Sequence, residues 1–357
     1  MDSKLTTIGF KSIRSDPAVY VRNIDSGHTI LAVHVDNMYT ICESEVELER
    51  TRSQLHGLFE MKKEDPNWFM GYQLIPDEAN CTIAISQRHY TESILKRFNM
   101  TDCTPRSLPA IPSLNLSKDD GPKNKEERKK MEKTPYRELV GALLWLSRIS
   151  RPDISFASAY LSRFNSNPGQ QHWKAAQECL RYLAGSLDKV LVLGNPDRDK
   201  AIDLIGYTDA DFARETDDRK SVSGYLYQLG ERSISWGSKK QDTVARSSTE
   251  AEYIAAAHAV GEGLWLRNLM HELGFDQEEA TTLQIDNRST MAIIERPRQQ
   301  RTKYIDIKHH FIRDRVQDGS FTLEHCPTKS MVADIFTKPL SADIFKVHMK
   351  SLGLIPQ

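Results

Sequence analysis

Cysteine is scarce in this chain of 357 residues, and no pair has Cys-x-x-Cys spacing. The five present, Cys42, Cys81, Cys103, Cys179 and Cys326, are scattered and odd in number. That pattern argues against a disulfide framework or a zinc site and for a reducing compartment. No apolar run approaches the roughly 18 residues that a transmembrane helix needs, so no membrane partner is expected. Residues 1–14 contain no apolar core and no small-residue cleavage site, so a secretory signal is not expected either. An excess of charge of one sign is also missing: 48 Lys and Arg stand against 49 Asp and Glu, a net charge of -1. Any nucleic-acid-binding face must therefore be local. No internal repeat is visible. What remains is ordinary globular composition, 39% hydrophobic and 27% charged, with length for two or three domains.

Residues 1–100 read as mixed α and β. An apolar strand over 29–35 runs into His34-Val35-Asp36-Asn37, and the Asp-Asn pair predicts a hairpin turn before Met38-Tyr39-Thr40-Ile41. Amphipathic helices are expected over 45–59 and 87–98, with a second hairpin joining 68–75 to 82–86. Residues 101–133 read as a linker, broken by Pro105, Pro109 and Pro112 and ending in a charge-dense tract expected to be solvated and mobile. Residues 134–197 form a largely helical segment, with apolar residues of 136–147 and 170–185 at helical spacing. Strands take over from Lys189.

Within 198–340, an alternating run through 202–205 leads into Gly206-Tyr207-Thr208-Asp209-Ala210-Asp211. Asp is a poor strand residue, and two at a strand end point either to a turn or to a bound cation. Further strands are expected over 222–229 and 233–236. A long helix follows, capped by Ser247 or Ser248 with Glu250 in a capping box, and Gly274 ends it. A strand over 281–285 runs into Asp286-Asn287. Then come a short helix, a basic loop over 296–303, a helix over 306–317 containing His309 and His310, a strand over 320–326 and a short helix over 330–337 holding Asp334. Residues 341–357 read as a C-terminal tail. Asp209, Glu252, Asp286 and Asp334 thus sit at strand ends and in helices that such an order can bring to one sheet edge. Gathered carboxylates repel unless a cation neutralises them, and oxygen-only ligands favour Mg²⁺ or Mn²⁺.

The chain resembles the C-terminal part of copia-type LTR retrotransposon Pol polyproteins, spanning the end of the reverse transcriptase and the ribonuclease H. The matching motifs include Gly206 to Asp211, Asp217-Asp218-Arg219-Lys220-Ser221, Ser223-Gly224-Tyr225, Ile234-Ser235-Trp236, Ser238-Lys239-Lys240-Gln241, Ser247 to Tyr253 and Asp286-Asn287. They continue through Tyr304 to Ile312 and Ala333-Asp334-Ile335-Phe336-Thr337-Lys338-Pro339-Leu340. Upstream, Leu139-Val140-Gly141, Arg151-Pro152-Asp153-Ile154 and Leu161-Ser162-Arg163-Phe164 also match. The resemblance implies a mixed α/β and α+β chain: a partial polymerase palm over 1–100, a helical thumb-like segment, and a ribonuclease H-like domain with a mixed five-stranded sheet flanked by helices. It makes Asp209, Glu252, Asp286 and Asp334 the ligands of two Mg²⁺ or Mn²⁺ ions, with Glu250 competing for the place of Glu252 and Asp211 supporting or exposed. It implies hydrolysis of the RNA strand of an RNA–DNA hybrid, leaving a 5′-phosphate and a 3′-hydroxyl.

Candidate hybrid contacts are Arg219, Lys220, Lys239, Lys240 and Arg246 for phosphates, and Ser247, Ser248, Thr249 and Asn287 for sugar hydroxyls. His309 and His310 are expected to be structural. His325 matches a loop histidine of some ribonucleases H but falls in an expected strand. The polymerase half departs from its family. The turn that reads Tyr-Val-Asp-Asp there is His34-Val35-Asp36-Asn37, and Asn37 offers only a weak carbonyl ligand where a carboxylate belongs. The fingers and the palm strand with another metal-binding Asp are not among these residues. Polymerase activity is therefore expected to be lost, and a decayed or co-opted remnant that only binds nucleic acid is the alternative. A full-length element polymerase or integrase is the implied protein partner, in a virus-like particle in the cytoplasm or in the nucleus.

Overall fold

Two regions of period-two alternation organise the chain, one near the N-terminus and one around Asp209. The computed structural model describes residues 1–24, 27–113, 115–194, 203–295 and 310–357. They form two units, Met1–Leu74 with Glu262–Glu278, and Ile75–Gly261 with Glu279–Gln357.

The first unit holds α1 (Asp2–Thr7) and an antiparallel sheet in the order β1 (Lys11–Ser12), β2 (Val19–Ile24), β3 (Gly27–His34), β4 (Asn37–Cys42). Its core is Leu5, Phe10, Tyr20, Leu31 and Leu55, the last from α2 (Glu45–Leu58). Ser44 caps α2 by accepting the Glu47 N–H at 3.2 Å. The β3–β4 turn is Val35-Asp36 rather than Asp36-Asn37, because His34 pairs with Asn37. Val35 has a φ of 53°, a conformation that β-branched residues rarely adopt. The run expected as one strand over 68–75 is split into β5 (Trp68–Phe69) and β6 (Tyr72–Asp77). Met70 and Gly71 turn the chain there with φ of 48° and 84°.

In the second unit, β7 (Thr82–Ser86) pairs with β8 (Lys189–Gly194), and β8 with β14 (Leu354–Pro356). The residues read as a tail are thus an ordered helix, α11 (Ala342–Ser351), and a strand, with Phe345, Leu352 and Leu354 buried. The helical layer is α3 (Arg88–Arg97), α4 (Lys125–Glu132), α5 (Tyr136–Ile149), α6 (Ser155–Ser162) and α7 (Gln170–Ala184). Leu139, Val140, Leu143 and Leu146 form the stripe of α5 and are fully buried. At about 1.5–3 kcal/mol for each such side chain, this stripe outweighs local propensity in fixing the layer. The segment 101–133 is anchored rather than freely solvated. Ala110, Leu116 and Met131 are buried, and the Tyr160 hydroxyl bonds both the N–H and the carbonyl of Leu116, at 2.8 and 2.9 Å. Its charges hid these few apolar anchors.

The second sheet of this unit has the order β11 (Arg232–Lys240), β10 (Val222–Leu229), β9 (Leu204–Asp211), β12 (Thr281–Ile285), β13 (Phe321–His325). The first three strands are antiparallel, and β12 runs parallel to β9 and to β13. This is the mixed five-stranded sheet that the resemblance implies. The long helix α8 (Ser248–Glu272) begins beside it, followed later by α9 (Arg288–Glu295) and α10 (His310–Gln317). Gly274, with φ 84°, ends α8. The expected basic loop over 296–303, the start of the helix expected at 306, His309 and residue 202 of the opening strand lie outside the described residues, as does the side chain of His310.

Alternation along β9 sends Ala210 to one face and Asp209 to the other. On the Ala210 face, Ala245, Ala251 and Ala255 make a small-residue contact that lets α8 approach closely. On the Asp209 face sits a 3₁₀ turn, Val332–Phe336. Its approach depends on Gly224, the cross-strand partner of Asp209. A Cβ at Gly224 would lie 2.7 Å from Thr337 Cγ2 and 2.8 Å from Phe336 Cβ.

Candidate metal centre

The two faces bring their carboxylates together at the end of the sheet. Asp209, on β9, is 2% exposed and Glu252, on the second turn of α8, is 6% exposed. Glu252 accepts a hydrogen bond from the Ala210 N–H, which ties the helix to the strand at the site. Asp286 follows β12 directly and accepts from the Thr328 hydroxyl at 3.0 Å. One oxygen each from Asp209, Glu252 and Asp286 lies within 4.8 Å of the others. Asp334, on the 3₁₀ turn, joins the site through a lysine: Lys338 Nζ is 2.8 Å from Asp334 Oδ1 and 3.4 Å from Asp209 Oδ2. The Thr337 hydroxyl donates to the same Asp209 oxygen.

Burial and mutual repulsion dominate the electrostatics. Burial, then Asp209 and Asp286, push the Glu252 carboxyl up to about 9. Burial and then Asp209 push Asp334 up to about 7, against the pull of Lys338. Asp286 is raised by burial and by Asp209. Burial works against the Lys338 charge, but Asp209 and Asp334 outweigh it and hold the ammonium above its usual range. Oε2 of Glu252 is buried without a hydrogen-bond partner. A carboxylate with an orphaned buried oxygen, grouped with two further carboxylates, is a donor set for a hard divalent cation, so these residues fit Mg²⁺ or Mn²⁺.

Glu250 stands apart from this cluster. Its N–H donates to Ser247 Oγ at 3.1 Å and its carboxylate accepts the Arg246 N–H at 2.8 Å, which ties it to the helix start. Asp211 lies beyond the cluster, in an ion pair with Arg214 at 3.5 Å, and burial raises it.

The candidate nucleic-acid contacts are spread around this sheet end. Ser247 and Ser248 are exposed at the N-terminus of α8, and Ser247 already accepts the Glu250 N–H. Asn287 caps α9 by accepting the Thr290 N–H at 3.0 Å, which leaves its amide donors. Arg219, with φ 56°, and Lys220 lie in the β9–β10 connection. Lys239, exposed, pairs across β10 with Ser223. Lys240 is committed to acids, with Nζ 2.9 Å from Asp218 and 3.5 Å from Glu215. His325 ends β13 and favours the charged form of Asp286.

Sequence reasoning assigned no chemistry to Thr328, Thr337, Lys338, Gly224 or Gln241. Gln241 Nε2 donates to both Ser223 Oγ and the Ala251 carbonyl at 2.9 Å, joining the sheet to the start of α8. Four of these five lie in motifs quoted above, which is the signal that marked them. Asp36 and Asn37, in the first unit, are exposed. Among the described residues, no group of potential metal ligands includes Asp36.

Residues 1–112 match the family described as Reverse transcriptase (RNA-dependent DNA polymerase). Over 356 residues, 99% of its length, the chain is 35% identical to the retrovirus-related Pol polyprotein from transposon TNT 1-94 of Nicotiana tabacum, of which it covers 26%. It is 30% identical over 271 residues to a transposon Ty5-1 protein of Saccharomyces cerevisiae, covering 73% of this chain and 82% of that one. The chain therefore spans about a quarter of the tobacco polyprotein. The crystal structure of LC11-RNase H1 in complex with RNA/DNA hybrid aligns to 38% of the chain and 93% of its own at 15% identity, with a TM-score of 0.28. With the polymerase match at its N-terminus and transposon relatives along almost its whole length, the chain belongs to the copia-type retrotransposon Pol polyprotein family.

Proposed function

We propose that this Pol fragment is a two-metal ribonuclease H that hydrolyses the RNA strand of an RNA–DNA hybrid, and that its polymerase region does not synthesise DNA. The carrying observation is the convergence of Asp209, Glu252 and Asp286, together with a buried Glu252 oxygen that has no hydrogen-bond partner. Asp209, Glu252, Asp286 and Asp334 would hold the ions. When bound, divalent ions lower the proton affinity of the attacking water and stabilise charge on the phosphoryl oxygens. The chain's other groups hold those ligands still. Thr337 fixes Asp209, Thr328 fixes Asp286, and the Ala210 N–H fixes Glu252. Ser247, Ser248 and Asn287 would meet sugar hydroxyls, which distinguish RNA from DNA. Arg219, Lys220 and Lys239 would meet phosphates, with Lys240 secondary because its charge is already paired. Loss of polymerisation follows from Asn37 and from the isolation of Asp36. A full-length element polymerase or integrase would be the protein partner.

The test is cleavage of a labelled RNA–DNA hybrid by the full chain with Mg²⁺ or Mn²⁺. Asp209→Asn should lower the rate by about a hundredfold or more, since it removes a ligand common to the whole cluster. Activity that survives this change means the site is misassigned. A folded protein that cleaves with neither metal supports the alternative, favoured by Asn37, of a remnant that only binds nucleic acid. Primer extension by the purified chain would overturn the polymerase reading.

A further inference from the structure

Lys338 occupies the place of a cation. Its Nζ lies between two almost fully buried carboxylates, 2.8 Å from Asp334 Oδ1 and 3.4 Å from Asp209 Oδ2. The ammonium side chain is itself 28% exposed, so it reaches inward from the surface. The three carboxylates close enough to share one ion among the described residues are Asp209, Glu252 and Asp286. Asp334 is outside that group, and its Oδ1 is in an ion pair with the lysine. Asp334 and Lys338 stand four residues apart, at the middle and two residues beyond the end of the turn that Gly224 admits to the sheet. The backbone that delivers the fourth carboxylate therefore also delivers its neutralising charge. A unit positive charge at these distances serves the same electrostatic need as a divalent ion between the same two carboxylates. The two cannot share that space.

Resting on the two-metal reading above, we infer that Lys338 is a built-in counterion of the Asp209–Asp334 pair and competes there with a divalent ion. The Asp209–Glu252–Asp286 group then fills first. The position that needs Asp334 fills only at higher metal concentration, after the ammonium has swung outward. Lys338 is a positioning residue in this scheme, acting through the carboxylates.

The experiment is calorimetric titration of the chelator-stripped full chain with Mn²⁺, which reads binding without catalysis. The parent protein should show one tighter and one weaker event. Lys338→Met should tighten the weaker event by about tenfold, equivalent to 1.4 kcal/mol, and leave the tighter one within about twofold. Lys338→Arg keeps the charge and should stay close to the parent. Asp334→Asn, which does not depend on the folding of the Met variant, should abolish the weaker event alone. Unchanged Mn²⁺ affinity in Lys338→Met, or two unchanged events in Asp334→Asn, overturns the counterion assignment while leaving the metal centre standing. Failure of the parent to bind any Mn²⁺ overturns the metal centre, and the counterion with it.

Discussion

Gly224→Ala isolates the contact on which the whole site depends. The φ of Gly224 is not in the left-handed region, so alanine meets no backbone penalty there. By itself the change would stabilise by about 0.4–1 kcal/mol through the unfolded chain. The added methyl, however, would stand 2.7 Å from Thr337 Cγ2, 2.8 Å from Phe336 Cβ and 3.0 Å from the Ala333 carbonyl oxygen. The last of these is backbone and cannot rotate away, so the 3₁₀ turn must lift from the sheet. Overpacking of this kind costs about 1–3 kcal/mol, which leaves a net loss on the order of 1 kcal/mol. Activity should suffer more than stability, because the turn carries Asp334 and leads into Thr337 and Lys338, all of which meet Asp209. A displacement near 1 Å is enough to cost about a hundredfold in rate. Urea unfolding followed in the second unit and hybrid cleavage well below the midpoint separate the two effects. Adding Thr337→Ser removes the Cγ2 clash, keeps the hydroxyl that donates to Asp209, and should recover part of the activity. A Gly224→Ala protein as stable and as active as its parent would refute the reasoning, since the turn would then have room that the structure denies it.

Three further outcomes follow from the same structure. Glu252, raised to about 9, and Asp334, raised to about 7, bind protons in the folded state that the unfolded chain has released above the usual carboxylate range near 4. The metal-free protein should therefore lose stability as pH rises from about 5 towards 9, and saturating Mg²⁺ should flatten that slope. Thermal midpoints at pH 6 and pH 9 of the parent and of Glu252→Gln check this, and an equal metal-free slope in both proteins would contradict it. Leu143→Ala should cost about 2–5 kcal/mol, because the side chain is fully buried in the α5 stripe; a loss under about 1 kcal/mol in urea unfolding would mean that the helical layer repacks freely. Gln241→Leu leaves Ser223 Oγ and the Ala251 carbonyl without their shared donor and should cost about 1–3 kcal/mol. Hydrogen exchange should quicken at the start of α8, and unchanged protection there would show that the glutamine does not hold the helix.

The element order around Asp209 was legible because strands and helices of that region carry clean periodicities and strong boundary residues. The 281–285 strand, the Ser247 cap and the Gly274 stop are read directly from residue type. What escaped reading depends on close approach in space. Gly224 looks like a weak strand residue until the turn over 332–336 is seen against it. Thr337 and Lys338 look like a surface dipeptide until their carboxylate partner, more than a hundred residues earlier, is in view. The anchoring of 101–133 combines three apolar side chains scattered among charges, too sparse for any periodicity, with hydrogen bonds to residues distant in sequence such as Tyr160. The order within the tail over 341–357 is not legible in the residues, because its strand is three residues long and gains its meaning only by pairing with β8. The β3–β4 turn shifted by one residue because register is set by strand pairing, which in this hairpin places Val35 at a positive φ that its side chain disfavours.

The strand ends at Asp36 and at Asp209 carry the same local signal, an aspartate where a strand stops, and they end in opposite electrostatic situations. Asp36 is exposed in a two-residue turn, beside a neutral Asn37. Water solvates such a carboxylate fully, and nothing about the turn calls for a cation. Asp209 is 2% exposed, with Glu252 and Asp286 within reach of a shared ion. Burying an ionised carboxylate costs several kcal/mol even after relaxation, and three together cost more than the Thr337 and Thr328 hydroxyls can return. The folded state has two ways to meet that cost. It can take up protons, as the raised Glu252 and Asp334 show, or it can take up cations, of which Lys338 is the one the chain carries itself. Burial, rather than the presence of an aspartate, is thus what creates a demand for metal. By that criterion the Asp209 end of the chain has such a demand and the Asp36 turn has none.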